Sequence, residues 1–436
     1  MRCLALVIMV SIFGGAITKA QVHQTHAGES PHSLLFPARD TSGTGWQPTL
    51  TPMAGLSGSW HGWETMLHGN IFGQVLIESG EKHRTGGASG FQASSVNWGM
   101  LMARRPAAGG RFGVRAMLSA ELWTVSDCGF LNLLATGEIC EGDSIHDRQH
   151  PHDLFMELAV DFDRPLCGSL RWQVYAGLAG EPALGPPGFP HRFSAALNPI
   201  APISHHWLDS SHITFGLITG GVYNERWKGE VSVFNGREPD EQRADIDFGS
   251  LDSVSARLSF APNDRWVLQA SSGHLNEAEA AFAQRPRSDL KRSTVSAAYH
   301  RPYRGAGIWS TTVAVGLNDG KEALPEGTFE AVTQALLLES TLKLDGPHWL
   351  FGRGEVVRKP AHDLHAHEFG AEILVVGKGQ AGYSYNFARK AGLELGIGAS
   401  ISASVLPPAL APRYFGRIAW SLAVFASVRP AVHSGS

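Results

Sequence analysis

Residues 392–405 read Gly-Leu-Glu-Leu-Gly-Ile-Gly-Ala-Ser-Ile-Ser-Ala-Ser-Val. Leu393, Leu395, Ile397, Ala399, Ile401 and Val405 fall on one parity, and Glu394, Gly396, Gly398, Ser400, Ser402 and Ser404 on the other. Side chains alternate across a strand with period two, so such a segment is a strand with one apolar and one polar face. The same split recurs in Val254 to Phe260, in Trp309 to Leu317 and in Ile418 to Val424. In a sandwich the apolar parity meets a shared core. In an outer-membrane barrel it meets lipid, while the small and charged parity faces the lumen.

Composition narrows the choice. The chain has 436 residues, 43% hydrophobic and only 17% charged, with 50 glycines. Soluble domains carry about 25% charged residues, so an ordinary soluble enzyme fits poorly. Past the N-terminus no apolar run approaches the ~18–20 residues of a spanning helix, which excludes a helical membrane protein. A net charge of −4 supplies no basic surface for nucleic acid.

Connector lengths decide for a barrel. Short breaks at Pro106–Gly110, Pro165–Gly168, Asn224–Trp227, Pro262–Asp264, Pro302–Gly305, Asp345–His348 and Arg389–Ala391 alternate with long ones. Short turns on one side and long loops on the other mark a bacterial outer-membrane barrel. Strands are expected at 63–78, 92–105, 111–125, 153–164, 169–180, 212–223, 228–235, 252–261, 265–275, 290–301, 307–317, 331–343, 349–358, 371–388, 392–405 and 416–429. The fold expected is thus an all-β, transmembrane, antiparallel up-and-down β-barrel of about 16 strands, with 14 or 18 as alternatives. The longest outer loops fall near 126–152 and 181–211. Trp60, Trp63, Trp123, Trp172, Trp207, Trp227, Trp266, Trp309, Trp349 and Trp420 lie near strand ends, where amphipathic rings form interfacial girdles.

Met1-Arg2, the apolar run Leu4 to Ile17 and small residues before Gln21 form a secretory signal pattern. The domain reading is a signal peptide at 1–20, a polar periplasmic tail at 21–56, a barrel at 57–430 and a short tail at 431–436, placed in the bacterial outer membrane with its lipid as partner. In that oxidising compartment Cys128 and Cys140 are expected to form a disulfide with Cys167 free; the alternative is three small buried thiols.

Seven of the twenty histidines lie between 146 and 212. Six of them fall in His146-Asp-Arg-Gln-His-Pro-His-Asp153 and His205-His-Trp-Leu-Asp-Ser-Ser-His212, with Gly180-Glu-Pro-Ala-Leu-Gly-Pro-Pro-Gly188 and His191 between. Here the chain resembles a family of uncharacterised bacterial outer-membrane β-barrel proteins carrying DRQHPHD, GEPALGPP, HRFS and HHWLDS motifs in this order, over about Gly55 to Pro430. Phe234 to Glu241 and Leu251 to Leu258 also look like that family. The resemblance implies the barrel and its location, and no activity. Tails in that family are rich in Met and His, whereas this tail keeps His23, His26 and His32 with only Met53.

Two readings of the cluster compete. In one, Asp147, Arg148, His150, His152 and Asp153, with His191, Asp209 and His212, hydrogen-bond the loops together and fix a constriction. In the other, His150, His152, His205 and His206 with Asp153 bind Zn or Cu, since imidazole and carboxylate suit both ions. His362, His365 and His367 with Asp363 and Glu368 read as a solvated loop. Ser210, Ser211 and His212, with Asp147, Asp153 and Asp209, sketch a rim hydrolase, but G-x-S-x-G, Walker and H-E-x-x-H motifs are all missing.

Function therefore divides three ways. A porin-like channel for small polar solutes or ions leads, followed by a metal-binding or metal-export accessory protein and then a surface hydrolase; a non-enzyme is expected. No resident cofactor is required unless Zn or Cu is held. Inward positions include Glu64, His68, Glu121, Glu157, Asp161, Glu230, Glu339, Glu355 and Glu394 against Arg115, Arg171, Arg257 and Arg353, which suggests mild cation preference.

Overall fold

The computed structural model describes residues 36–37, 39–79, 90–126, 128–279, 288–324, 327–414 and 416–432. The signal peptide and His23, His26 and His32 lie outside the described residues. Strands run in chain order: β1 Leu56–Trp60, β2 Trp63–Glu78, β3 Phe91–Ala107, β4 Gly110–Leu118, β5 Phe130–Cys140 and β6 Asp143–Gln149. Next come β7 Phe155–Cys167, β8 Leu170–Gly180, β9 Thr214–Tyr223, β10 Trp227–Phe234, β11 Ser253–Asn263, β12 Trp266–Glu279 and β13 Ser288–Tyr303. The last are β14 Gly307–Leu324, β15 Gly327–Lys343, β16 His348–Pro360, β17 Ile373–Lys390, β18 Leu393–Val405 and β19 Ile418–Pro430.

Sixteen of these, β2–β4 and β7–β19, pair antiparallel with their neighbours and close into a barrel when β19 meets β2. All sixteen expected strands are present, and the seven short turns join the expected pairs. β1 is extra: it pairs with β2 from Leu67 to Trp63, below the stretch Ile71–Glu78 that β19 covers.

Burial follows the pleat. On β10, Lys228, Glu230 and Ser232 are 1%, 3% and 0% exposed, whereas Val231 is 59% exposed. The exposed parity is apolar around the barrel, with Val160, Leu258, Val295, Leu338, Val375, Ile401 and Val424 among its members. A continuous apolar exterior of this kind is what a bilayer-spanning barrel presents to hydrocarbon. Trp60, Trp123, Trp227, Trp266 and Trp420 stand on that exterior. Trp207 and Trp349 do not: both are buried inside, where Trp349 lies under the Arg429 guanidinium at 4.5 Å.

The interior is packed, which the pattern did not foretell. The segment read as a periplasmic tail enters the barrel over its described part. There the Arg115 guanidinium donates to Gly43 O at 2.7 Å, Lys228 Nζ to Thr44 O at 2.6 Å and Arg257 to Thr44 Oγ1 at 2.9 Å. The physical reason is mutual satisfaction, because small polar residues expose the carbonyls that these buried cations need. Two internal cavities against this segment measure only ≈ 30 and ≈ 20 Å³, room for a water or two. At the other terminus, Ala431 and Val432 are buried as well.

The expected charge balance changes accordingly. Glu157, Arg115, Arg257 and Arg353 are buried and face inward, and Arg171 lines the short-turn end beside Asp163 at 2.6 Å. Arg104, Lys228, Arg292, Lys359, Lys378 and Arg429 are also buried there, so the acidic excess behind the cation preference disappears. Glu121 departs from its expected place, because β4 stops at Leu118 and Glu121–Thr124 forms the short helix α1.

The loop between β4 and β7 folds inward as the β5–β6 hairpin, closed by the expected disulfide Cys128–Cys140, with Cys167 free and exposed. The two Cα atoms are 5.5 Å apart, although eleven extended residues span roughly 36 Å. β5 therefore curls, through positive φ at Leu134, Gly137 and Glu138. A Cys128→Ser, Cys140→Ser variant is expected to lose about 3 kcal/mol of hairpin order while the barrel's thermal midpoint holds. Hydrogen exchange across 128–149 checks this, and unchanged protection would exclude a role for the crosslink.

Candidate functional site

The second inward loop connects β8 to β9. It carries the short helix α2, His205–Leu208, and three single-turn 3-10 segments. It docks on the barrel wall through Trp207 Nε1 to Thr333 Oγ1 at 2.8 Å, Asn318 Nδ2 to His206 O at 3.0 Å, and Arg292 to Ser210 Oγ at 2.8 Å. Arg192 joins loop to wall, donating to Glu339 Oε1 at 2.6 Å and bonding Asp209. Below α2 an apolar core forms from Leu133 and Leu134 of β5, Ile203, Trp207 and Leu208 of the loop, and Leu337 and Val357 of the wall.

Between hairpin and loop sit five buried histidines: His150, His152, His205, His206 and His212. Ring centroids are 6.1 Å apart for His150–His205, 6.0 Å for His150–His206, 5.1 Å for His205–His212 and 5.4 Å for His152–His212. Every Nδ1 faces an oxygen. His205 Nδ1 is 2.9 Å from Asp209 Oδ1, His152 Nδ1 2.9 Å from Glu121 Oε1, and His206 Nδ1 2.9 Å from Glu238 Oε1. His150 Nδ1 is 3.2 Å from Glu138 Oε1, and His212 Nδ1 bonds Asp209 O at 2.8 Å. An acceptor on Nδ1 fixes the tautomer and turns Nε2 into the ligand-competent atom. Nε2 of His150 and of His212 is buried with no hydrogen-bond partner among the described residues.

His150, His205 and His206 each offer a ligand nitrogen within 4.8 Å of the other two. The approach of His206 requires Gly137, whose φ is +118° and whose Cβ, if present, would lie 2.0 Å from His206 Nε2. Burial pushes His205 down to about 4 despite Asp209. It pushes His150 and His212 well below the ordinary value too, each with help from neighbouring positive groups. These rings are neutral at pH 7, as ligands must be. Burial opposes charging of His152 as well, but Glu121 outweighs it and raises that ring.

Not every expected site residue joins them. Asp153 is buried beside Arg243, its Oδ2 3.5 Å from Nη1, and burial raises it to about 7; its carboxyl is committed to that pair. Asp147 holds the hairpin itself, accepting from Leu134 N at 2.7 Å and from Tyr414 at 2.7 Å, and Arg148 donates to Gly129 O at 2.9 Å. Asp209 and His212 hold the second loop to itself, Asp209 through Arg192 and His205 and His212 through the Asp209 carbonyl, and His191 leaves the cluster for Met117 Sδ at 3.3 Å. The loop 361–372 is solvated only in part: His367 and Glu368 are exposed, whereas His362 is buried and His365 stacks on His146 at 4.2 Å. Among the described residues neither Ser210 nor Ser211 hydrogen-bonds His212, whose Nδ1 is held by a backbone carbonyl, so the hydrolase arrangement is not assembled.

Sequence reading placed Glu121 on the lumen wall and missed Glu138 and Glu238; the three orient the rings from three separate segments. Glu181 was missed as well. Burial raises its carboxyl to about 7 against a partial lowering by Arg257, and Ser42 and Gly188 N bond it. The folded carboxyl thus binds its proton more tightly than the unfolded one. The resulting stability is full below pH ~4.5 and is lost as pH rises through about 7. Hydrogen exchange across 181–213, corrected for intrinsic rate, is expected to quicken from pH 6 to pH 8 in the wild type and to stay level in Glu181→Gln; equal pH responses would remove Glu181 from this role.

No known protein family matches the chain, and no curated relative is similar to it. Solved structures are similar in architecture. The outer-membrane channel DcaP of Acinetobacter baumannii is 9% identical with a TM-score of 0.49, covering 86% of this chain and 100% of that one. A loop-deleted OmpT, an outer-membrane protein of Vibrio cholerae, is 9% identical at 0.48, covering 84% and 99%. The anion-selective porin of Comamonas acidovorans is 11% identical at 0.45, covering 84% and 99%.

Proposed function

We propose that this protein is a porin-like outer-membrane channel, exported by its signal sequence and held shut by its own inward segments. In this reading the species it binds or passes is a transition-metal ion, Zn or Cu, taken by His150, His205 and His206 with His152 and His212 alongside. The observation that supports it most is the set of oxygen acceptors on every Nδ1, because such partners around converging imidazoles are the usual surroundings of a bound metal. One ligand nitrogen from each of His150, His205 and His206 lies within 4.8 Å of the other two. The resemblance to the outer-membrane family belongs to the same proposal, since its DRQHPHD and HHWLDS segments both contribute ligands.

A second reading, passage of small polar solutes, draws on the girth of sixteen strands, which encloses a water-filled lumen wherever loops withdraw. Metal analysis and planar-bilayer conductance separate the two. The wild type is expected to retain about one Zn or Cu per chain. His150→Ala, His205→Ala is expected to lose it while still migrating as a folded, heat-modifiable barrel. A metal-free wild type whose conductance ignores added Zn would favour solute diffusion instead.

A further inference from the structure

Six methionines follow residue 35: Met53, Met66, Met100, Met102, Met117 and Met156. All six belong to one cluster inside the barrel, against Phe36, Ile213 and Phe215, and all but Met53 sit on the arc of wall made by β2, β3, β4 and β7. Elsewhere the buried inner face carries Ser, Thr, Lys, Arg and Glu together with apolar clusters built from Leu, Val, Ala, Phe and Trp349, and none of those clusters holds a methionine. Generic core filling does not explain why every methionine among the described residues gathers here. Register brings the thioethers together: Met66 lies opposite Met102, and Met100 lies opposite His68 on one side and Met117 on the other. Directly opposed side chains have Cβ atoms ≈ 4.5–5.5 Å apart.

Two imidazoles complete the group. His191 Nε2 is 3.3 Å from Met117 Sδ, and its ring lies 5.7 Å from that of His68. Trp98 closes the third side, with its ring 4.8 Å from His191 and 5.3 Å from His68. His68 Nε2 is buried with no hydrogen-bond partner among the described residues. Thioether sulfur is a soft ligand that selects Cu(I), and an indole face attracts cations. Arg115, opposite Met102, disfavours a doubly charged ion more than a singly charged one.

We propose that Met100, Met117, His68 and His191, faced by Trp98, form a second metal site, specific for a soft monovalent cation of the Cu(I) or Ag(I) class. It shares no ligand with the five-histidine cluster and stands whether or not that cluster binds Zn or Cu. The two differ in chemistry: thioethers here, carboxylate-oriented imidazoles there.

The test uses the full chain, purified in detergent and titrated with Ag(I) alone, with Zn(II) as the contrast. Three proteins are compared: wild type, Met100→Leu, Met117→Leu, which nearly preserves core volume, and His150→Ala, His205→Ala. Ag(I) affinity is expected to persist in the histidine variant and to fall in the methionine variant by more than roughly 100-fold, beyond what loss of outer-sphere partners alone produces. Zn(II) binding should be unaffected by the methionine changes. Should the methionine variant fail to fold, X-ray absorption of Cu(I)-loaded wild type is expected to show sulfur scatterers. Wild-type Ag(I) affinity in a folded methionine variant, loss of Ag(I) from the histidine variant alone, or a copper shell of nitrogen and oxygen only would each overturn the proposal.

Discussion

Arg192→Met is expected to release the second inward loop and raise the single-channel conductance of the barrel. The Arg192 guanidinium is buried and bonds Glu339 on β15, Asp209 beside α2, and Pro187 O at 2.9 Å. Burial opposes ionisation of Asp209, but the Arg192 charge outweighs it and holds that carboxyl below the ordinary range. Methionine keeps much of the volume and none of the charge, leaving two buried carboxylates short of a donor. Glu339 retains Arg353 at 3.2 Å and Ser194 at 2.9 Å, whereas Asp209 keeps chiefly His205. Breaking a buried pair from one side costs about 3–5 kcal/mol. The cost falls on the loop, so β-type circular dichroism should hold while exchange across 181–213 quickens. Wild-type exchange and conductance in this variant would show that the loop is held elsewhere.

Leu336→Arg should cost about 2–4 kcal/mol, through the membrane. Leu336 sits on β15, 46% exposed, between Val315 of β14 and Val356 of β16, which are 46% and 49% exposed. All three belong to the outward face near mid-strand, where a charge meets hydrocarbon and no water. Urea unfolding in lipid vesicles reads the loss directly. A cost below about 1 kcal/mol would place Leu336 at the interface and would shift the apolar band along the barrel.

The exterior was legible because lipid acts on one face of each strand only, and alternation such as Leu393 to Val405 records it without reference to other segments. The interior obeys no such local rule. Thr41 to Gly45 looks like a solvated tail until Arg115, Lys228 and Arg257 are placed around it. Signals for a filled lumen were nonetheless present. Ala335-Leu-Leu-Leu338 is apolar on both parities, which a strand with one wet face does not need, and Leu337 is indeed fully buried. Methionine at inward positions was a second such sign. Of the candidate site, His150, His205 and His206 and the Asp209 beside them were legible from their density, whereas the carboxylates that meet His150 and His206 were not. Glu138 of the β4–β7 loop and Glu238 of the β10–β11 loop are aligned only by tertiary packing.

The N-terminal segment inside the barrel also constrains the order of assembly. The wall closes where β19, made last, pairs with β2, near the start of the chain, over eight residue pairs from Ser421 to Val428. Gly43 and Thr44, in the segment that precedes β1 and β2, lie within the ring, bonded to β4, β10 and β11. Entering after closure, the segment would have to carry Trp46 and a row of backbone amides through the barrel mouth into a lumen already filled by the inward loops, whereas packing beside the wall before the seam zips avoids that passage. Biogenesis then couples luminal packing to membrane insertion. Substitutions that weaken this inner cargo, remote from any lipid, would be felt first as slow or failed maturation in the cell and only later as altered behaviour of the mature protein.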